Sequence, residues 1–174
     1  MMVSLAACEE NGPLMPITKG HGITLYSVDI VDENGNTVLN PFENEAVFTD
    51  IKVEYNDTIL PYGVCIYPGY KRPDGLAYAY VQEEGFYKGE ILNKKWILTV
   101  KLPVKYSYED FDTEFKVTYA DKEYAIKYVR RNLDDGYNFY AKIYLNGEEY
   151  SSLNSTEDSD YYKYLKECYV KIAL

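Results

Sequence analysis

Phe115-Lys116-Val117-Thr118-Tyr119 and Tyr124-Ala125-Ile126-Lys127-Tyr128, joined by Ala120-Asp121-Lys122-Glu123, decide how this chain folds. Phe115, Val117 and Tyr119 occupy alternate positions with Lys116 and Thr118 between them, and Tyr124, Ile126 and Tyr128 repeat the pattern on the way back. Successive side chains of a strand point to opposite faces, so a period of two puts the apolar set on one face and the polar set on the other. The stretch reads as a hairpin with one dry and one wet face, and such a hairpin needs a second apolar layer against it.

The same period runs outward in both directions. Ile23–Val31 is β-rich and meets Asp32-Glu33-Asn34-Gly35-Asn36, whose Asn-Gly pair predicts a tight hairpin turn; Thr37-Val38-Leu39 returns and Asn40-Pro41 ends it. Ile51, Val53 and Tyr55 alternate with Lys52 and Glu54, and Asn56-Asp57 turns them into Thr58-Ile59-Leu60. Val64–Tyr67, Leu76–Gln82, Tyr87–Leu92 and Trp96–Leu102 read as further strands, and Tyr137–Leu145 turns at Asn146-Gly147 into Glu148–Ser151. At the end, Cys168, Val170, Ile172 and Leu174 alternate with charged and tyrosine residues, which predicts a strand over 167–173. Tyr161, Leu165 and Cys168 share a helical spacing, so 157–166 stays open between helix and strand. Many short strands separated by frequent turns predict an all-β chain: an antiparallel β-sandwich, immunoglobulin-like, of seven to nine strands. An up-and-down barrel has the same period and is the alternative. Residues 21–174 read as one domain, with no internal repeat and no break in composition.

Composition narrows the function classes. Among 174 residues, 18 Lys+Arg face 28 Asp+Glu, a net charge of −10, which argues against a nucleic-acid partner that must be met by a basic face. A hydrophobic share of 47% and an aromatic share of 16% are too high for a disordered chain. One His and three Cys leave almost no material for a metal cage or a Cys–His nucleophile, so no metal, no cofactor and no enzymatic activity are expected.

The N-terminus carries an address. Leu5-Ala6-Ala7-Cys8 looks like a bacterial lipobox, with Cys8 the lipid-attachment residue, residues 1–7 the remnant of a signal peptide and residues 8–20 a tether. A short apolar N-terminus with an incidental cysteine is the alternative. Acyl chains contribute about 0.8 kcal/mol per buried CH₂, so two or three of them hold a domain on a membrane durably. The acidic Glu9-Glu10 that follows resembles the surface-export signal of Bacteroidetes lipoproteins. Val31-Asp32-Glu33-Asn34-Gly35-Asn36-Thr37-Val38-Leu39-Asn40-Pro41, Ile51-Lys52-Val53-Glu54-Tyr55-Asn56-Asp57 and Ile143-Tyr144-Leu145-Asn146-Gly147 resemble strand-and-turn segments of small surface lipoproteins of that group. The resemblance leaves 62–112 uncovered, and Asp57 stands where a turn glycine is usual. It implies an outer-membrane lipoprotein exposed at the cell surface, anchored through lipid alone, and assigns no activity.

Candidate site residues follow from chemistry and spacing. His21 stands alone, without a partner for a triad or zinc site. Cys65 and Cys168 both fall in expected strands and are a candidate disulfide in an oxidising compartment, two separate buried thiols being the alternative. Acidic runs at 109–112, 134–135 and 157–160 lack the spacing of a calcium loop and read as solvated loops. Tyrosine is the compositional excess, 21 residues against six Phe and one Trp. A phenol buries area like Phe yet keeps a polar tip, which suits a recognition surface or a half-wet edge. Tyr78 and Tyr80 share one face of an expected strand, Tyr140 and Tyr144 one face of another, and these four are the candidate binding aromatics. The expected function is a non-catalytic surface binding module for glycan or protein; the alternative is a structural or assembly component of a surface complex or pilus-like fibre.

Overall fold

The computed structural model describes residues 22–66, 76–87, 90–104, 110–133, 139–154 and 169–174. They form an all-β sandwich. One sheet orders its strands β11 (Tyr169–Ala173), β1 (Gly22–Val31), β6 (Glu90–Val104), β5 (Tyr78–Tyr87) and β4 (Tyr62–Val64). The other orders β10 (Glu148–Asn154), β9 (Phe139–Leu145), β8 (Lys122–Asn132), β7 (Phe111–Tyr119), β2 (Ile51–Tyr55) and β3 (Thr58–Ile59). Two open sheets, each with two edges, exclude the barrel. The eleven strands exceed the expected seven to nine because short edge pieces, the two residues of β3 among them, complete the sheets. Of the segment expected at Tyr87–Leu92, Tyr87 ends β5 and Glu90–Leu92 begin β6, the same strand that carries Trp96–Leu102.

The hairpin read first is β7–β8, with Phe115 opposite Ile126 and Val117 opposite Tyr124. Its dry face meets β1 of the other sheet: the Tyr26 ring lies 5.2 Å from Phe115 and 5.6 Å, edge-on, from Tyr128. Phe115, Val117, Ile126, Tyr128, Phe139 and Ile143 are buried on one side of the core, and Tyr26, Val28, Ile30, Leu98, Val100 and Ile172 on the other.

Turn chemistry differs from the sequence expectation in one place. Asn146-Gly147 has both residues at positive φ, and so does Asn56-Asp57 despite lacking glycine. At Asp32–Asn36 only Gly35 is at positive φ, and Thr37 makes a single bridge to Val31 in place of a return strand. The cause is a competing side chain: Asp32 Oδ1 accepts from the Asn34 and Asn36 amides at 2.9 and 2.8 Å, and Thr37 Oγ1 turns to the Trp96 carbonyl at 3.0 Å. Those bonds, the Asn36 amide foremost, hold the Asp32 carboxyl below its ordinary value of 3.8. A carboxyl depressed on folding stabilises the native state above its unfolded pKa and loses that contribution as pH falls through the folded value. The Asn34 and Asn36 amide resonances are therefore expected to titrate together with a midpoint under 3.8; a midpoint at or above 3.8 would remove Asp32 as the organiser of this turn.

Two strand pairs are parallel, β4–β5 and β1–β11. β11 is an edge strand that sends Val170 and Ile172 into the core, and Leu174 N–H reaches the Val31 carbonyl at 3.0 Å. On its outer face, the Tyr169 hydroxyl donates to Oδ2 of Asp29 at 2.9 Å, and Lys95 Nζ stands 3.5 Å from the same oxygen. Asp29 is fully buried; these donors offset the desolvation at Oδ2, while Oδ1 has no hydrogen-bond partner among the described residues. The outward amide of Lys171 is met at 3.0 Å by the hydroxyl of Tyr150, which sits where the β9–β10 register slips between Glu149 and Ser151. A bulge re-aims a side chain, and here it brings Tyr150 across from one sheet's edge to the other's.

Candidate functional site

The four candidate tyrosines lie on two different sheets. Tyr78 and Tyr80 alternate with the core residues Ala79 and Val81, so they occupy the outer face of the first sheet, yet they are only 6% and 3% exposed. Their rings lie 5.8 Å apart, and Lys101 covers Tyr78, its Nζ 4.7 Å from the ring centre and 3.1 Å from the hydroxyl. This pair is packed, not presented.

Tyr140 and Tyr144 are half-buried on the outer face of the second sheet, with Lys142 between them on the same face of β9; Phe139, Ala141 and Ile143 point the other way into the core. Neighbouring strands set polar groups beside each ring: Arg131 pairs with Tyr140, while Lys127 and Glu149 flank Tyr144. Lys142 bonds to Glu149 and lies 5.6 Å from the Tyr140 ring centre. That carboxylate first, and the Tyr140 hydroxyl second, raise the Lys142 ammonium above its usual range, so it stays charged. On the adjoining strands Arg131 bonds to Asp112, with Lys127 3.6 Å from the same carboxyl. Arg131 first, then Lys127, hold Asp112 below the ordinary carboxylate range, and Asp112 raises Arg131 in turn. Lys116 pairs with Glu123 at 3.2 Å. Each exposed pair contributes little stability, because solvent screens the charges and ordering two long side chains costs entropy. Their consequence is geometric: two aromatic rings stand in a lattice of tethered donors and acceptors.

Comparison with protein-family models, with curated proteins and with solved structures found no match. Among the described residues, no group of three or more His, Cys, Asp or Glu side chains is placed to hold a metal ion. Cys8, the tether over 8–20, His21, Cys168 and the segment 157–166 lie outside the described residues, as do the acidic runs at 134–135 and 157–160. Cys65 is half-buried just beyond β4, its amide donating to the Val81 carbonyl at 2.7 Å.

Sequence reasoning paired the tyrosines by strand face but missed Lys142, Glu149 and Arg131 as their companions. The Tyr-Lys-Tyr alternation at 140, 142 and 144 was a usable signal for Lys142. Glu149 had none, because its place beside Tyr144 depends on a register that changes one residue later.

Proposed function

We propose that this chain is a non-catalytic binding module of a surface lipoprotein, anchored through Cys8 to the outer membrane, and that its ligand is a glycan lying along Tyr140, Lys142 and Tyr144. One observation carries the reading: two half-buried tyrosines stand in line on an exposed sheet face, with charged hydrogen-bonding groups beside each. Four strand steps of about 3.4 Å separate the rings by roughly 14 Å, so a ligand touching both is an extended oligomer. Aromatic faces supply apolar contact at low entropic cost, and Lys127, Arg131 and Glu149 supply hydroxyl partners. The lipobox and the surface-lipoprotein resemblance support the address. The competing reading, assembly by strand addition, meets a capped edge at β11, where Tyr150 occupies the Lys171 amide that an added strand would need.

A glycan array probed with the chain, its Y140A and Y144A variants and the double variant tests this. Losing one stacked ring is expected to weaken binding about tenfold or more, the worth of an aromatic burial of about 1.5–3 kcal/mol, in a protein that still unfolds cooperatively. An array blank for every glycan, or binding unaltered in the double variant, would overturn the reading. Incorporation of a fatty-acid analogue into the full-length protein, abolished by C8S, tests the anchor separately.

A further inference from the structure

The longest described connection, residues 32–50, crosses from the first sheet to the second. It holds Asp32, Glu33, Glu43, Glu45 and Asp50 and no lysine or arginine. Within it Phe42 is 71% exposed and Phe48 48%. This chain elsewhere sets tyrosine where a ring meets water, as at Tyr140, Tyr144 and Tyr150, while Phe115 and Phe139 are buried. Phenylalanine has no polar tip, and leaving one in solvent forgoes about 1.5–3 kcal/mol of burial.

The loop is firmly built. Leu39 and Val47 are fully buried. Asn44 caps the short 3₁₀ helix Glu45–Phe48 through Oδ1, and its Nδ2 donates at 2.8 Å both to the Val38 carbonyl and to the Tyr119 hydroxyl. The Tyr62 hydroxyl donates to the Val47 carbonyl at 2.7 Å, and Phe42 is backed edge-on by Trp96 at 5.9 Å. Lys171 reaches the Gly35 turn, at the other end of the loop. Between 42 and 50 a rigid scaffold thus holds out two apolar rings among three exposed carboxylates. Preorganisation lowers the entropic cost of association, and complementary charge selects the partner.

We propose that residues 42–50 form a protein-docking site whose partner is a basic segment carrying apolar side chains. Its cations meet Glu43, Glu45 and Asp50, and its apolar groups cover Phe42 and Phe48. An anionic bilayer is disfavoured because the same carboxylates repel it. The site is separate from the Tyr140–Tyr144 strip and independent of what binds there.

The probe is a labelled peptide alternating lysine and leucine, followed by fluorescence anisotropy against the full chain, with a glutamate-for-lysine peptide as its counterpart. The lysine peptide is expected to bind, to weaken with added salt, and to lose about tenfold or more in affinity in F42S/F48S, which keeps the net charge. E43K/E45K is expected to lose as much, while E114K/E148K, of equal net charge but distant from the loop in sequence, and Y140A lose far less. Absence of binding, equal binding of the glutamate peptide, equal loss in E114K/E148K, or binding unchanged in both loop variants would overturn the proposal. The charge variants leave the Phe rings and the buried residues untouched, so they report even where F42S/F48S lowers stability.

Discussion

Phe115→Ala is expected to destabilise the sandwich by about 3–5 kcal/mol, the cost of emptying a fully buried aromatic site. Phe115 is 1% exposed, and its ring meets Tyr26 at 5.2 Å, so its removal opens a void where the two sheets touch. The walls are strands held by ladder hydrogen bonds on both sides, which limits how far they collapse into the gap. For a chain of this length the loss lowers the melting temperature on the order of 10 °C. Urea unfolding should show a lower midpoint at an unchanged slope. Phe115→Leu, which keeps most of the volume, should cost less than about 1.5 kcal/mol. A Phe115→Ala protein within about 1 kcal/mol of the parent would place the contact between the sheets elsewhere.

Ending the chain after residue 168 is expected to abolish cooperative unfolding. The cut removes β11 and with it Val170 and Ile172, each contributing about 1.5–3 kcal/mol by burial. It also removes the Tyr169 hydroxyl, leaving the buried Asp29 carboxylate without its hydrogen-bonded donor, at a cost of about 1.5–3 kcal/mol for a bond to a charged group. Together these approach the whole stability of an ordinary domain, about 5–15 kcal/mol. Tyr169→Phe isolates the last contribution and should cost about 2 kcal/mol while keeping the strand. A truncated chain that melts cooperatively within about 5 °C of the parent would show that β11 is dispensable and that the first sheet is complete at β1.

Much of this architecture was legible in the local sequence. The β7–β8 hairpin, the Asn146-Gly147 turn and the inward set of β9 follow from period and turn chemistry, because a strand's two faces are set residue by residue. The first turn departs from its Asn-Gly reading because the Asp32 carboxylate and the Thr37 hydroxyl offer the backbone other bonds. The burial of Tyr78 and Tyr80 was not legible: alternation says they oppose Ala79 and Val81, and says nothing of whether that face is wet. The Tyr140–Tyr144 strip was visible as a pattern, and its charged surroundings were not.

By itself, the sequence determined the all-β class, most strand positions and which side chains share a face, since these depend on neighbours one or two residues apart. Only the tertiary structure decided the order of the strands, the parallel seat of β11, the wetness of each outer face, and the pairing of Asp29 with Tyr169 across 140 positions. Those outcomes depend on residues far apart in the chain, and alternation carries no record of which distant strand lies alongside.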